Sequence, residues 1–362
     1  MLRDLTTRPL PAQFRRVNLV EVAIFLSPVL AIAFSLVIVG AVVLALDHDP
    51  IELFRFLVQG AFGSQRAFAT ALNKSVPLIF VALATAVAFR ARIFSIGQEG
   101  QLQVGALAAT WVALNLPDMT PVLVVAMSLA AAFAAGGVYG GIPGLMKAQW
   151  GLNEIITTIM LDYIAILWVL SLVLGSMQAP NAAYAHSPSV SAANRLPIIL
   201  SGTRLHAGFA LALVAAVLVW FLLHRTTLGF EIRGMGFNPR AAKNTGMPIK
   251  TIIVKTMILS GGIAGLAGAV QILGVQFQIA EDWSQGWGFT GIAVALLGGL
   301  RPAGIIIAGI FFGVLEAGAD SMQALTGIPG QIVLLLQGLP VLFLMGLRSS
   351  TLISWLVKHS QG

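Results

Sequence analysis

The sequence predicts an all-α protein that crosses a lipid bilayer many times. Of the 362 residues, 57% are hydrophobic and only 10% are charged, whereas a soluble globular chain is about 45–50% apolar and roughly 25% charged. The mean hydropathy is +0.90, and the apolar residues gather in runs long enough for membrane-spanning helices. These observations exclude a soluble enzyme, an intrinsically disordered protein and a coiled-coil rod.

Ten apolar runs are candidate transmembrane spans. A helix needs about 20 residues to cross a hydrocarbon core of about 30 Å. The candidate runs are residues 22–46, 76–89, 101–116, 121–146, 155–177, 207–223, 251–275, 288–300, 303–319 and 330–347. The runs at 76–89 and 288–300 are short, so the prediction is about ten (eight to ten) transmembrane helices, some of them interrupted. The first run is too long for a signal-peptide core and is interpreted as a retained span.

The positions of the basic residues predict how these spans are oriented. If the N-terminus is cytoplasmic and the chain alternates, 15 of the 21 Lys and Arg residues lie inside, five lie outside, and Lys255 lies at an inner helix end. This asymmetry follows the positive-inside rule and puts both termini in the cytoplasm. The net charge of +7 is thus an orientation signal rather than a nucleic-acid surface. The predicted parts are a cytoplasmic segment (1–20), one transmembrane domain (21–347) and a cytoplasmic tail (348–362).

A polar segment interrupts the apolar pattern at residues 94–101, which read Phe-Ser-Ile-Gly-Gln-Glu-Gly-Gln. Gly97 and Gly100 favour a break in a helix, and backbone groups freed at membrane depth need protein partners or a water-filled cavity. A polar cytoplasmic turn is the alternative interpretation. The side chains that could line a substrate path here are Gln98, Glu99 and Gln101.

A second polar pattern begins at Asn153. In a helix, Glu154, Thr158 and Asp162 stand at positions i, i+4 and i+8 and share one face. An acidic residue near the centre of a transmembrane helix costs about 2.5–3.5 kcal/mol on insertion scales, so Asp162 should face protein or water and have a partner. All four residues are candidates for lining or gating a path. A structural hydrogen bond to a neighbouring helix is the alternative.

The basic segment 225–250 is the strongest functional signal in the predicted loops. Asn238 followed by Pro239 is typical of a helix start, with Asn as N-cap and Pro in the first turn. The pattern predicts a short helix over Asn238–Lys243, and Gly246 is placed to end it. Such a helix at the membrane surface suits the docking of a soluble partner, although an ordinary basic loop is the alternative. The outer segment 178–206 is expected to be an irregular loop.

The sequence contains no pattern typical of a catalytic or metal site. It has no Cys, its six Lys residues never follow Gly, and its five His residues are scattered. A phosphate-binding loop of the Gly-Lys-Ser/Thr type and a spaced metal site are therefore absent from the sequence. We expect no catalytic residue, no bound metal and no cofactor on this chain.

Four motifs in order resemble the permeases of ABC importers of the branched-chain amino acid and ribose type. They are FRARIFSIGQEGQLQVGALAA (89–109), GLNEIITTIMLDY (151–163), IRGMGFNPRAAKNTGM (232–247) followed by SGGIAGLAGA (260–269), and GFTGIAVALLGG (288–299). The first two are similar above all to the branch associated with nucleoside uptake. Ser95 and Asp162 stand where that branch usually has Asn, which leaves the substrate open.

The resemblance implies a permease of the bacterial cytoplasmic (inner) membrane that works by alternating access. It implies ATP on a separate ATPase subunit, a second permease subunit (non-identical or a second copy) and an extracytoplasmic substrate-binding lipoprotein. Sugars or branched-chain amino acids are alternative substrates to nucleosides. A proton-coupled secondary transporter is an alternative of another class. The residues that the resemblance assigns to ATPase coupling are Arg233, Asn238, Pro239, Ala241, Ala242 and Gly246.

Overall fold

The computed structural model describes residues 12–45, 47, 49–116, 119–180, 184–326 and 332–347. Within these ranges the chain is helical and forms no β-strand, which confirms the all-α prediction. The helices are α1 (Ala12–Ala45), α2 (Pro50–Phe62), α3 (Gln65–Arg90), α4 (Gln98–Asn115), α5 (Pro121–Trp150), α6 (Glu154–Leu174), α7 (Gly208–Arg225), α8 (Thr227–Phe237), α9 (Pro239–Asn244), α10 (Ile249–Gln271), α11 (Trp287–Leu297), α12 (Pro302–Thr326) and α13 (Ile332–Leu347).

Six helices in the described part are long and apolar enough to cross a membrane. They are α3, α5, α6, α7, α10 with its π-helical extension Ile272–Gln276, and α12. Shorter apolar helices occur at Val29–Ala45, Trp287–Leu297 and Leu334–Phe343. The chain is therefore a polytopic membrane protein, as predicted.

The predicted short span at 76–89 was wrong in length, because α3 runs through 26 residues. Polar residues just before position 76 end the apolar run, so hydropathy alone does not include the first turns of the helix. In the structure the amide of Asn73 donates to the carbonyl of Arg204 at 2.6 Å, and Lys74 pairs with Asp320 at 2.8 Å. These partners let the helix continue through polar residues. The other short run does form a short helix, because α11 has only 11 residues.

The described residues fall into two compact units. In the smaller unit α1 packs with α13, and the rings of Phe34 and Phe343 lie 5.9 Å apart. The larger unit covers residues 53–330 and holds α3 to α12 together with most of α2. In it, α3 and α10 are mostly buried, whereas α5, α6 and α7 leave most of their surface exposed.

Small residues bring α4, α5 and α10 into backbone contact. Gly105 of α4 and Gly136 of α5 both lie against Gly265 of α10, so a side chain at these positions would overlap backbone atoms. Gly261 makes the same kind of contact with Gly140. Lipid provides no hydrophobic drive between helices, and such close approach supplies the van der Waals contact instead.

The described residues of the predicted outer segment, 178–180 and 184–206, form an irregular loop, as expected, and hydrogen bonds connect them to the chain that follows α10. Ser187 N–H donates to Ile279 O at 2.8 Å, and Leu196 N–H donates to Leu273 O at 2.9 Å. The segment contains a 3-10 turn at Ala192–Asn194. These bonds hold residues 272–281 in place, and so they position the start of α11.

Candidate functional site

A non-helical break separates α3 from α4 at residues 91–97. α4 starts at Gln98 with Gly97 at its N-cap, and this non-helical connection fits both the predicted interruption and the alternative of a polar turn. Gly100 is not part of the break, because it lies in the first turn of α4. Most residues of the break and of this first turn are buried.

The polar face of α6 supplies acceptors for backbone N–H groups in the break. Glu154 Oε1 accepts from Phe94 N–H at 3.3 Å, and Thr158 Oγ1 accepts from Ile96 N–H at 3.2 Å. Four helical residues rise about 6 Å, and two extended residues advance about 6.6 Å. Because these two distances are nearly equal, polar side chains at every fourth position of α6 can accept hydrogen bonds from every second N–H group of the break.

Asp162 completes this row of acceptors at the start of α4. Its Oδ1 accepts from Gly100 N–H at 2.7 Å, one of the first-turn N–H groups that a helix leaves without an internal partner. A carboxylate is also favourable at this positive end of a helix. A β-carbon at Gly100 would lie 2.7 Å from Asp162 Oδ1, so only glycine allows this approach. The partner predicted for Asp162 is thus found, and it joins two helices.

The start of α6 is itself anchored. Glu154 Oε2 accepts from the ammonium of Lys147, near the end of α5, at 2.5 Å. The side chain of Asn153 caps α6 by accepting from Ile155 N–H at 2.9 Å. These contacts fix the rotation of α6 and hold its acidic face against the break.

Glu99 links the start of α4 to the start of α11. Its Oε2 accepts from Gly288 N–H at 2.7 Å, and its Oε1 accepts from the hydroxyl of Ser284. Gly288 packs so closely on Glu99 that a side chain there would overlap the backbone of α4. The carboxylate of Glu99 therefore accepts from an N–H group in the first turn of α11, which has no partner within that helix.

Two tryptophans that sequence reasoning missed lie beside Glu99. Trp283 Nε1–H donates to Gln103 Oε1 at 2.7 Å, and the ring of Trp283 meets that of Trp287 edge to face at 6.3 Å. Both indoles are buried. The available signal was the segment Trp-Ser-Gln-Gly-Trp directly before a short apolar run.

Several buried polar atoms around this turn have no hydrogen-bond partner among the described residues. They are both amide atoms of Gln98, Gln101 Oε1, Asp162 Oδ2 and Trp287 Nε1. Buried polar groups are usually paired, and an unpaired one calls for a partner that the chain itself does not provide, such as water or a bound solute. Both donors and acceptors occur in this set, so its chemistry suits an uncharged polar solute.

The second candidate region is the segment that contains α8 and α9. Asn238 caps α9 as predicted, because its Oδ1 accepts from Arg240 N–H at 3.0 Å and from Ala241 N–H at 3.1 Å. Gly246 follows the helix with a left-handed φ of +85°. The bounds Pro239–Asn244 agree with the predicted helix.

The two neighbouring alanines of α9 differ in exposure. Ala242 is only 5% exposed, whereas Ala241 is exposed. A Trp ring at position 242 would therefore collide with the permease itself before it reached a partner subunit. Phe237, just before α9, is 82% exposed.

Comparisons with known proteins agree with the motifs. The family described as "Branched-chain amino acid transport system / permease component" matches residues 67–345. The guanosine ABC transporter permease protein NupP of Bacillus subtilis is 37% identical, over 88% of this chain and 92% of its own. The nucleoside ABC transporter permease protein NupB of Lactococcus lactis is 35% identical, over 85% and 87%.

A sugar permease is similar to nearly the same degree. The glucose ABC transporter permease protein TsgB13 of Haloferax volcanii is 34% identical, over 88% of this chain and 86% of its own. No solved structure matches the chain significantly.

Proposed function

Because this chain belongs to the family of permease components of branched-chain amino acid transport systems, we propose that it forms the membrane pathway for nucleosides in an ATP-driven importer. As a permease component of an ABC importer, it is a transport subunit and not an enzyme. ATP would bind to a partner subunit, and this chain would need no cofactor.

The observation that carries the proposed substrate is the similarity to two permeases named for guanosine and nucleosides, which extends over most of each chain. A sugar remains the second candidate, because the glucose permease is nearly as similar. The amide atoms of Gln98 and Gln101 that have no hydrogen-bond partner among the described residues favour the first candidate, because the edge of a nucleobase carries both donors and acceptors.

The proposed topology has eight to ten spans, with both termini in the cytoplasm of a bacterium. The excess of Lys and Arg in alternate loops supports it. Under this topology α8 and α9 face the cytoplasm and the segment 184–207 faces outward. The chain would lie in the cytoplasmic (inner) membrane with a second permease subunit.

We propose α9 as the coupling helix that docks on the ATPase subunit. Its exposed residues offer two cations, Arg240 and Lys243, beside the ring of Phe237. Aromatic and arginine side chains are typical anchors of protein interfaces. Ala242 and Arg233, which are buried and half-buried, would support this surface from beneath. The proposed docking residues are Phe237, Asn238, Pro239, Arg240, Ala241, Lys243 and Gly246.

Movement of α9 can reach the substrate path through direct contacts. α8 ends where α9 begins, and Gly236 of α8 packs on the carbonyl of Arg90. The break that follows Arg90 is held by the acceptors of α6. In the proposed cycle the ATPase binds inward-open and outward-open states with different affinity, and α8 transmits the shift to the break. An external binding protein would deliver the substrate on the opposite side.

Uptake in cells tests the proposal. A strain that lacks this chain is complemented with it, and import of labelled guanosine is followed with competing nucleosides or glucose. We expect ATP-dependent import that nucleosides inhibit and glucose does not. Inhibition by glucose with no import of nucleosides would favour the sugar permease. Import that survives ATP depletion but collapses with the proton gradient would favour a secondary transporter.

A further inference from the structure

Three arginines from different elements converge at the end of α3. Arg90 is the last residue of α3, and its Nε and Nη2 donate to the carbonyl of Leu300 at 3.2 and 3.0 Å. Leu300 lies in the turn before α12 with a φ of +56°, and Arg301 follows it directly. The bond from Arg90 therefore brings the exposed Arg301 beside it.

The third arginine comes from α8. Gly236 lies directly against the carbonyl of Arg90, and Arg233 stands one helical turn earlier on the same face. Two contacts therefore place Arg233 and Arg301 near the end of α3, namely the packing of Gly236 on Arg90 and the hydrogen bond from Arg90 to Leu300. We name Arg90, Arg233 and Arg301 the arginine cluster.

The cluster has no carboxylate partner in the described part of the chain. The ion pairs there are Lys74 with Asp320 and Lys147 with Glu154. Arg90 and Arg233 instead donate to backbone carbonyls. Like charges held close together raise the free energy of the protein. An anion bound between them would lower it. The planar guanidinium group matches the geometry of a phosphate.

Exposed phenyl rings lie close to two of these arginines in the sequence. Phe94, four residues after Arg90, is 51% exposed, and Phe230, one turn before Arg233, is 60% exposed. Aromatic rings next to cations at the end of an apolar helix are typical of the membrane–water interface. This setting favours a lipid headgroup over a soluble anion.

We propose that the arginine cluster binds the phosphate of an anionic phospholipid in the cytoplasmic leaflet. The inference uses the orientation proposed above but is independent of the transported solute. The phosphate neutralises the cluster and holds the ends of α3 and α8 and the start of α12 together. Because α9 follows α8 directly, the lipid stabilises the base of the coupling segment.

Native mass spectrometry of the complete transporter tests the site. The assembly is purified with phosphatidylglycerol and phosphatidylcholine, and the double variant Arg233→Gln/Arg301→Gln is compared with the parent. Arg90 is kept because it bonds to Leu300. We expect retained phosphatidylglycerol to fall by about tenfold, with phosphatidylcholine unchanged. The control is Arg225→Gln, which removes an exposed cation from the end of α7 and should retain lipid like the parent.

Three results would overturn the proposal. The first is equal retention of phosphatidylglycerol in the parent and the double variant. The second is loss of ATPase subunits from the double variant with lipid retention unchanged, which would assign the cluster to a protein carboxylate. The third is a rise in the melting temperature of the lipid-free transporter that is as large with inorganic phosphate as with phosphatidylglycerol. That result would assign the arginine cluster to a soluble anion. None of these readouts depends on nucleoside transport.

Discussion

Glu99 accepts a hydrogen bond from the backbone N–H of Gly288 at 2.7 Å, across 189 residues of sequence. The bond joins the first turns of α4 and α11 directly through the carboxylate of Glu99. Both helices begin inside the larger unit, so neither can shift along its axis without breaking the bond. Glu99 is therefore a positioning residue that makes the two helix starts one structural element.

We predict that Glu99→Gln destabilises the chain, because a neutral amide accepts from Gly288 N–H more weakly than the carboxylate does. A hydrogen bond to a charged group contributes about 1.5–3 kcal/mol and a neutral one about 0.5–1.5 kcal/mol, so we expect a loss of about 1 kcal/mol. The melting temperature of the purified protein measures this effect. Glu281→Gln, at an exposed position close to Trp283 in sequence, serves as the control and should melt like the parent. Equal melting temperatures for the parent and both variants would contradict a stabilising role of Glu99 between α4 and α11.

We predict that Asp162→Asn keeps most transport activity, because the amide oxygen can still accept from Gly100 N–H. Asp162→Leu has the same approximate size but offers no acceptor, and it should lose activity and stability. Uptake of labelled substrate at matched expression measures the difference. Complete loss of uptake in Asp162→Asn with normal folding would instead indicate a proton-relay role for this carboxyl group.

We predict that Ala241→Trp and Ala242→Trp fail in different ways. A ring at the exposed position 241 should leave the fold intact and weaken the association with the ATPase. A ring at the buried position 242 should lower the melting temperature of the permease itself, because overpacking costs about 1–3 kcal/mol. Co-purification of the ATPase and thermal melting separate the two effects. Normal ATPase binding and normal uptake by Ala241→Trp would argue against the docking surface.

We predict that Gly236→Ala disturbs the contact between α8 and α3. A β-carbon at this position would overlap the carbonyl oxygen of Arg90, so one helix end must move. The control is Gly338→Ala in α13, where a β-carbon meets no atom of the described residues within 4 Å. Uptake per ATP hydrolysed should fall for Gly236→Ala alone. Equal coupling in both variants would mean that this contact does not transmit movement.

We predict that stability depends on pH through His206, which lies in the outer segment. Burial lowers the pKa of His206 from 6.5 to about 4, and its Nδ1 accepts from Gly208 N–H at 3.1 Å. The unfolded chain therefore binds a proton more readily than the native protein between these two values. Stability contributed by neutral His206 is complete above pH 6.5 and is lost as the pH falls toward 4.

Melting temperatures measured from pH 7.5 to 4.5 test this dependence. His206→Gln, which cannot be protonated, should show a flatter decline than the parent. His186→Gln, at a partly exposed position of the same segment, should keep the parent's slope. A parent slope that is unchanged in His206→Gln would contradict the prediction.

The length of α3 illustrates where reasoning from hydropathy failed. Asn73 and Lys74 ended the apparent apolar run, yet the helix continues through them because Arg204 and Asp320 supply their partners. Both partners are distant in sequence. Hydropathy counts only the intrinsic polarity of a residue, and it cannot include a partner that folding brings into contact.

The sequence by itself determined the properties that depend on neighbouring residues. Apolar runs predicted a helical membrane protein, the spacing of Glu154, Thr158 and Asp162 predicted one polar face, and Asn238 before Pro239 predicted the start of α9. Only the tertiary structure decided that the polar face serves the N–H groups of the break and that Ala242 faces inward. The reason is physical. Helical periodicity and capping act within a few residues, whereas the partner of a buried polar group depends on which distant segments pack together.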